Sequence, residues 1–224
     1  MKMIDTHTVM LSDETPAALC TLLQDAASQH QSLLGSGREE MQSRGLLWMV
    51  MRQKLLLHRA PVSGETVTIR TWLSEARHGM YLRQYELTDA VGAALCQAAA
   101  VWALVDAESR TLAQLRLDVP LCQQECRLPR FPLLRPIETT QEYTFTVPTE
   151  YLDENGHMNN ARYFDAVTPI LPTNGDLYAA QIDYHLEARE GESLAIGYAV
   201  EDNSLLIQAQ GDRGLCFRMK LEYQ

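Results

Sequence analysis

Near the middle of the chain, Pro120, Pro129, Pro132 and Pro136 fall within seventeen residues. Proline lacks an amide hydrogen and has a fixed φ, so neither a helix nor an inner strand runs through such a stretch. Residues 121–137, punctuated by Arg127, Arg130 and Arg135, therefore read as a linker. The 224 residues divide into 1–120, the linker 121–137, and 138–224, each flank being long enough to fold around an apolar interior.

The two flanks share one order of elements. In the first, residues 3–10 form an opening strand, and Thr15-Pro16 begins a helix. Leu19, Leu22, Leu23, Ala26, Ala27, His30 and Leu34 follow its 3.6-residue period, and Gly35 ends it. His30 lies on the apolar side and reads as a packed core histidine. The dense apolar run after Gly45, from Leu46 to Leu57, fits a central strand. Strands follow at 66–73, 80–87 and 95–105, and Asp106 to Arg110 reads as a tight turn. The second flank repeats this with a strand at 143–147, a polar turn feeding a helix, then strands at 178–188, 193–200, 204–210 and 215–223. Each flank is thus a long central helix wrapped by an antiparallel sheet. That is the hotdog fold, and two of them make an α+β tandem (double) hotdog.

Composition narrows the partners. Hydrophobic residues make up 46% and charged residues 21%, a globular balance. The net charge of −10 argues against nucleic acid or an anionic membrane as partner. Residues 1–137 carry 14 basic and 14 acidic side chains, whereas 138–224 carry 5 and 15, so the whole acidic excess lies in the second flank. Cys20, Cys96, Cys122, Cys126 and Cys216 have no framework spacing, which fits reduced thiols in a cytosol. Cys122 and Cys126 have no second pair or histidine nearby, so no zinc site is expected. The N-terminus has no signal-like apolar core, and the longest uncharged apolar stretch, 90–105, is shorter than a membrane span. A cytoplasmic protein without a membrane partner is expected.

The densest chemistry lies in Tyr151-Leu-Asp-Glu-Asn-Gly-His-Met-Asn-Asn-Ala-Arg-Tyr163. Asp153, Asn155 and His157 alternate around Gly156, and Asn159-Asn160 open a short apolar run. Asp, Asn and Gly favour turns and Asn favours helix N-caps, so a polar turn leading into a helix start is expected. Free N–H groups at such a start suit an oxygen becoming negative, and a carboxylate, an amide and an imidazole there are tools for acyl chemistry. Further on, Asp183, His185, Glu187 and Arg189 share one face of the strand expected at 178–188.

On these residues the chain resembles the acyl-acyl-carrier-protein thioesterases of bacteria and plant plastids. The resemblance rests on Leu23-Gln-Asp-Ala-Ala-Ser-Gln-His30, Gly45-Leu-Leu-Trp48, Arg70-Thr-Trp72 and Trp102-Ala-Leu-Val-Asp106 in the first flank. In the second it rests on the Asp153–Tyr163 motif and Tyr184-His-Leu-Glu-Ala-Arg-Glu-Gly191. It implies hydrolysis of the thioester joining a fatty acyl chain to acyl carrier protein, without cofactor or metal. It implies catalysis in the second hotdog by residues matching Asp153, Asn155, His157 and Glu187, and acyl-chain binding mainly in the first. Some plant relatives carry a cysteine directly after the glutamate; here that position is Ala188, so no cysteine nucleophile is expected. Pro169 and Pro172 shorten the second helix relative to the family pattern. Glu187 is expected as general base, with direct nucleophilic attack as the alternative. Trp48, Met49 and Met51 are candidate acyl-chain contacts. Arg127, Arg130 and Arg135 are candidate docking residues for the acidic carrier protein. Two other readings stay open at this point, an acyl-CoA thioesterase and a non-catalytic acyl-carrier or lipid-binding protein, as does the oligomeric state.

Overall fold

The computed structural model describes residues 3–125, 127–172 and 175–224, with Gln124 described by its backbone alone. Cys126, half of the cysteine pair weighed above, lies outside the described residues.

Among these residues, ten antiparallel strands form one sheet: β1 (Ile4–Met10), β2 (Leu46–Leu57), β3 (Thr66–Arg77), β4 (Met80–Asp89), β5 (Ala94–Asp106), β6 (Gln141–Thr146), β7 (Leu177–Tyr184), β8 (Ser193–Glu201), β9 (Ser204–Gly211) and β10 (Gly214–Tyr223). Their spatial order is β1-β3-β4-β5-β2-β7-β10-β9-β8-β6. Numbered from its own first strand, each half runs first-third-fourth-fifth-second, and the second half is the mirror of the first. The halves join where β2 pairs with β7, from Arg52↔Asp183 to Leu56↔Ala179. This is the tandem hotdog, merged into a continuous sheet.

Helix α1 (Pro16–Leu33) starts where expected, with the Thr15 hydroxyl accepting from the Ala18 amide at 3.2 Å and proline in its first turn. Leu19, Cys20, Leu23, Ala26 and Ala27 are buried in a core that also holds Tyr163, Phe164 and Phe217 from the second half. His30 is fully buried and its Nδ1 lies 2.9 Å from Nη1 of Arg83. A short helix absent from the sequence reading, α2 (Arg38–Ser43), comes next. The expectation of a long helix holds only for the first half. In the second, α3 (Arg162–Ala166) has five residues, and Pro169 sits in the 3-10 turn Thr168–Ile170 that ends it. No helix among the described residues is long and apolar enough to cross a membrane.

The proline-rich segment does not float as a solvated linker. It crosses the outer face of the sheet, and the strands beneath supply its missing hydrogen bonds. Gln84 of β4 both donates to the Leu128 carbonyl (2.7 Å) and accepts from the Leu128 amide (2.9 Å). Arg52 of β2 donates to the Phe131 carbonyl, Gln181 of β7 to that of Pro132, and Arg218 of β10 to that of Leu134. Asp183 accepts from the Leu134 amide at 2.5 Å. Leu128 and Phe131 meanwhile pack on Leu82, Ala99 and Val101. A chain that cannot form a ladder is satisfied by side chains, as buried backbone polar groups require.

Candidate active site

The motif folds into a small hairpin. Leu152 and Met158 pair as an isolated bridge, the Asp153 amide donates to the His157 carbonyl at 2.7 Å, and Gly156 takes φ 74° at the tip. A left-handed backbone there suits glycine. The Asp153 carboxylate holds the turn from inside: Oδ1 accepts from the amides of Asn155 (2.8 Å) and His157 (3.2 Å), and Oδ2 accepts from Asn155 Nδ2 (3.2 Å). One acid thereby sets the positions of both the amide and the imidazole.

Glu187 comes from elsewhere in the chain, and here the sequence reading needs correction. Strand β7 stops at Tyr184, so Asp183, His185, Glu187 and Arg189 do not line one strand face. The register of β10 breaks at Cys216, whose carbonyl accepts from both the His185 and Leu186 amides (2.8 and 3.2 Å). An extra residue in the ladder bends the strand and re-aims the side chains beyond it. Asp183 stays on the outer face under the linker. Glu187, in irregular backbone, brings its Oε2 to 3.4 Å from His157 Nε2. Three contacts hold this segment. The Met158 amide donates to the Ala188 carbonyl, the Ala188 amide donates to the Tyr163 hydroxyl (3.1 Å), and Arg213 donates to the Glu187 carbonyl. Tyr163 stacks edge-on against Tyr184 and Phe217, and burial pushes its phenol well above its ordinary pKa, keeping it neutral.

At the start of α3, Asn159 takes two of the amides: its Oδ1 accepts from the Ala161 amide at 2.9 Å and its carbonyl from the Arg162 amide. The first half adds cations to the site. Arg110, in left-handed backbone at φ 57°, places Nη1 3.4 Å from Glu187 Oε1. A non-glycine residue held there is strained, and such strain clusters at functional sites. Arg38 of α2 bonds Glu154 (2.6 Å) and Asn155 Oδ1 (3.0 Å), joining the hairpin tip to the first half.

All four motif-derived residues border one cavity of about 730 Å³. It opens because β2 and β7 part company: beyond Arg52 and Asp183, residues 46–50 of β2 pair with β5 alone, and the chain after Tyr184 leaves the sheet. Trp48, Met49 and Met51 all border it. Met51 lies at a register shift in β2 and also packs against the cluster of Leu128 and Phe131. Arg127 lies 4.0 Å from Glu86 and from Glu125, and Arg130 pairs with Glu75 at 2.8 Å. Arg135 is exposed without an ion pair among the described residues.

The arrangement thus gathers a carboxylate, an imidazole, an amide and an arginine at the mouth of a cavity between two hotdogs. The N-terminal domain model of the acyl-ACP thioesterases matches residues 8–120, and the C-terminal domain model matches residues 134–220. The chain belongs to the acyl-ACP thioesterase family. It is 26% identical over 222 residues to a chloroplastic acyl-[acyl-carrier-protein] hydrolase of Cuphea viscosissima, covering 88% of this chain and 52% of that protein. It is also 26% identical over 222 residues to a palmitoyl-acyl carrier protein thioesterase of Gossypium hirsutum, with 86% and 52% covered. The chain therefore spans about half the length of the curated relatives it matches. Its fold is that of an acyl-ACP thioesterase from Bacteroides thetaiotaomicron, at TM-score 0.84 and 20% identity over 99% of this chain and 98% of that one. It is likewise that of the 12:0-ACP thioesterase from Umbellularia californica, at TM-score 0.81 and 18% identity, covering 100% and 98%.

For a member of this family, the cysteines yield a clear expectation. Burial pushes the Cys96 thiol up to about 12 and those of Cys20 and Cys216 upward, so none supplies thiolate near neutrality. Cys122 is the one half-exposed cysteine among the described residues. Iodoacetamide at neutral pH should label Cys122 ahead of those three and leave most turnover intact. Peptide mapping alongside an activity assay checks this. Loss of activity in step with labelling of Cys20, Cys96 or Cys216 in folded protein would contradict it.

Proposed function

We propose that this chain hydrolyses the thioester between an acyl chain and acyl carrier protein, releasing a free acid and the carrier thiol. The observation that carries the proposal is the 3.4 Å pairing of Glu187 with His157 at a cavity mouth, with Asn155 set beside it by Asp153. Glu187 takes a proton from a water molecule, whose oxygen attacks the thioester carbonyl carbon. The carbonyl electrons move onto oxygen, and the negative charge is met by the free N–H of Asn155 Nδ2, by His157 and by Arg110. Collapse of the tetrahedral intermediate breaks the C–S bond, and the departing sulfur takes the proton held by Glu187 or relayed by His157.

The carrier arm enters where β2 and β7 diverge, a region next to the crossing linker. The carrier protein is acidic and this chain carries −10, so docking needs a local basic surface. Arg130 is committed to Glu75, whereas Arg127, Arg135 and the exposed Arg116 are better placed to meet an acidic partner. Assays across chain lengths on carrier-protein, CoA and short pantetheine thioesters test the substrate class. Carrier-protein thioesters should give the highest kcat/KM. Reversal of Arg116, Arg127 and Arg135 to Glu should raise KM about three- to tenfold for the carrier substrate and leave the pantetheine substrate unchanged. Equal kcat/KM for CoA and carrier substrates would remove the carrier protein from the proposal.

A further inference from the structure

Asn155 is exposed beside the tip of the hairpin, where water would accept a side-chain amide with its oxygen and nitrogen in either place. Two neighbours settle which end is which. A carboxylate only accepts, so the atom 3.2 Å from Asp153 Oδ2 is the nitrogen. A guanidinium only donates, so the atom 3.0 Å from Arg38 Nη2 is the oxygen. Turning the amide over would set oxygen against carboxylate and N–H against guanidinium, two repulsive contacts in place of two bonds. Of the two hydrogens on Nδ2, one goes to Asp153 and the other is left at the cavity that Asn155 borders.

Arg38 comes from the first half, and its backbone is well held there. It opens α2, and Gly37 before it packs so closely on the end of α1 that a Cβ would lie 2.8 Å from Ser32 Oγ. The Gly37 amide donates to Glu40 at 3.2 Å, Met41 is buried, and the Ser36 carbonyl accepts from the Trp48 indole at 2.8 Å. From this base the guanidinium fork grips two successive hairpin residues, Glu154 through Nη1 and Asn155 through Nη2. The Glu154 carboxylate is 81% exposed, so that arm contributes little energy by itself. We infer that Arg38 is a positioning residue for the reaction: it fixes which end of the Asn155 amide donates. A cation on Oδ1 also draws electrons from the amide, which makes the remaining N–H a stronger donor. This rests on the thioesterase reading, in which that N–H meets the charge developing on the thioester oxygen. One hotdog thereby orients a catalytic group carried by the other.

A double-mutant cycle on kcat tests this in the full chain. Arg38→Met keeps the aliphatic stem and removes the donors, and should lower kcat about three- to tenfold while KM changes less than about twofold. Arg38→Lys, which retains a cationic donor, should recover part of that loss. Glu154→Gln should leave kcat within about twofold of wild type. In an Asn155→Ala background, Arg38→Met should change kcat by less than about twofold, because the amide through which it acts is gone. Losses that multiply in the double variant overturn the inference. A raised KM that persists in that background also overturns it, by making Arg38 a direct substrate contact. A second measurement needs no turnover. In nitrogen NMR of the labelled chain, Arg38→Met should shift the side-chain NH2 pair of Asn155, identified by its absence from Asn155→Ala. A pair left unmoved overturns the inference whether or not thioesters are cleaved. Failure of the thioesterase reading shows differently, as thioesters left intact by the wild type while the NH2 shift remains.

Discussion

Glu187→Gln should lower turnover of an acyl thioester by about 10²–10⁴-fold with the fold intact, since general acid–base contributions are of that size. The substitution keeps the shape of the side chain and removes the proton acceptor. The main-chain anchors of Glu187 do not depend on its carboxylate: Arg213 holds its carbonyl and Tyr163 the next amide. His157→Ala should fall in the same range, because it removes both the partner of Glu187 and a donor to the developing charge. Stopped-flow or endpoint thiol release, with circular dichroism as a fold control, measures both. Turnover of Glu187→Gln within a few-fold of wild type would eliminate this carboxylate as the base. It would direct attention to Asp153, the other acid of the motif, whose two oxygens are already engaged by the hairpin.

Asp183→Ala should be strongly destabilising, at about 3–5 kcal/mol, the scale for leaving two buried donors without their charged acceptor. Asp183 is 0% exposed. It faces Arg52 across the β2 pairing and Arg218 across the β10 pairing, and both arginines also bond the linker. Its loss removes the acceptor of both the Leu134 amide and the Gln181 side-chain amide, and takes a negative charge from between the register positions of Arg52 and Arg218. For a chain of this length the midpoint of thermal unfolding should fall by about 6–20 °C. Asp183→Asn, which keeps one acceptor for Leu134, should lose less. A thermal scan showing Asp183→Ala within about 2 °C of wild type, less than 1 kcal/mol is expected to shift it, would mean that the linker is held by its apolar side chains alone. Leu128 and Phe131 would then carry the whole attachment.

The two variants probe residues that the sequence placed together and the structure separated. Asp183 and Glu187 are four positions apart, an even spacing that puts them on one face of any continuous strand. The strand is not continuous, because one carbonyl at Cys216 receives two amides and the ladder slips. Nothing in the local pattern around residue 187 reports a bulge on a strand about thirty residues later. The hairpin of Asp153, Asn155 and His157 was legible for the opposite reason. Its hydrogen bonds span two to four residues, so residue type and spacing alone specify it. Helix α1 was legible through its apolar period and its Thr15-Pro16 start, and the second helix was shortened by Pro169 as its position implied.

Some of the site carried no sequence signal. Arg110 read as the end of a tight turn, which it is: Asp106 accepts from the Ser109 amide at 2.8 Å. That the same turn aims a guanidinium at a carboxylate 77 residues away depends on the two halves meeting through β2 and β7. Arg38 reaches 117 residues to Asn155 by the same route. The prolines at 120–136 determined that this stretch could be neither helix nor ladder. Which strand side chains would receive its backbone was left to the sheet order, since Gln84, Arg52, Gln181, Asp183 and Arg218 line up only once β4, β5, β2, β7 and β10 lie side by side. Local chemistry, acting over a few residues, was written in the order of residue types: two repeated units, a capped helix, a carboxylate-held turn. The cavity and the cation beside Glu187 arise from contacts between distant segments. Their energies depend on which surfaces the fold brings together, and only the tertiary structure decides that.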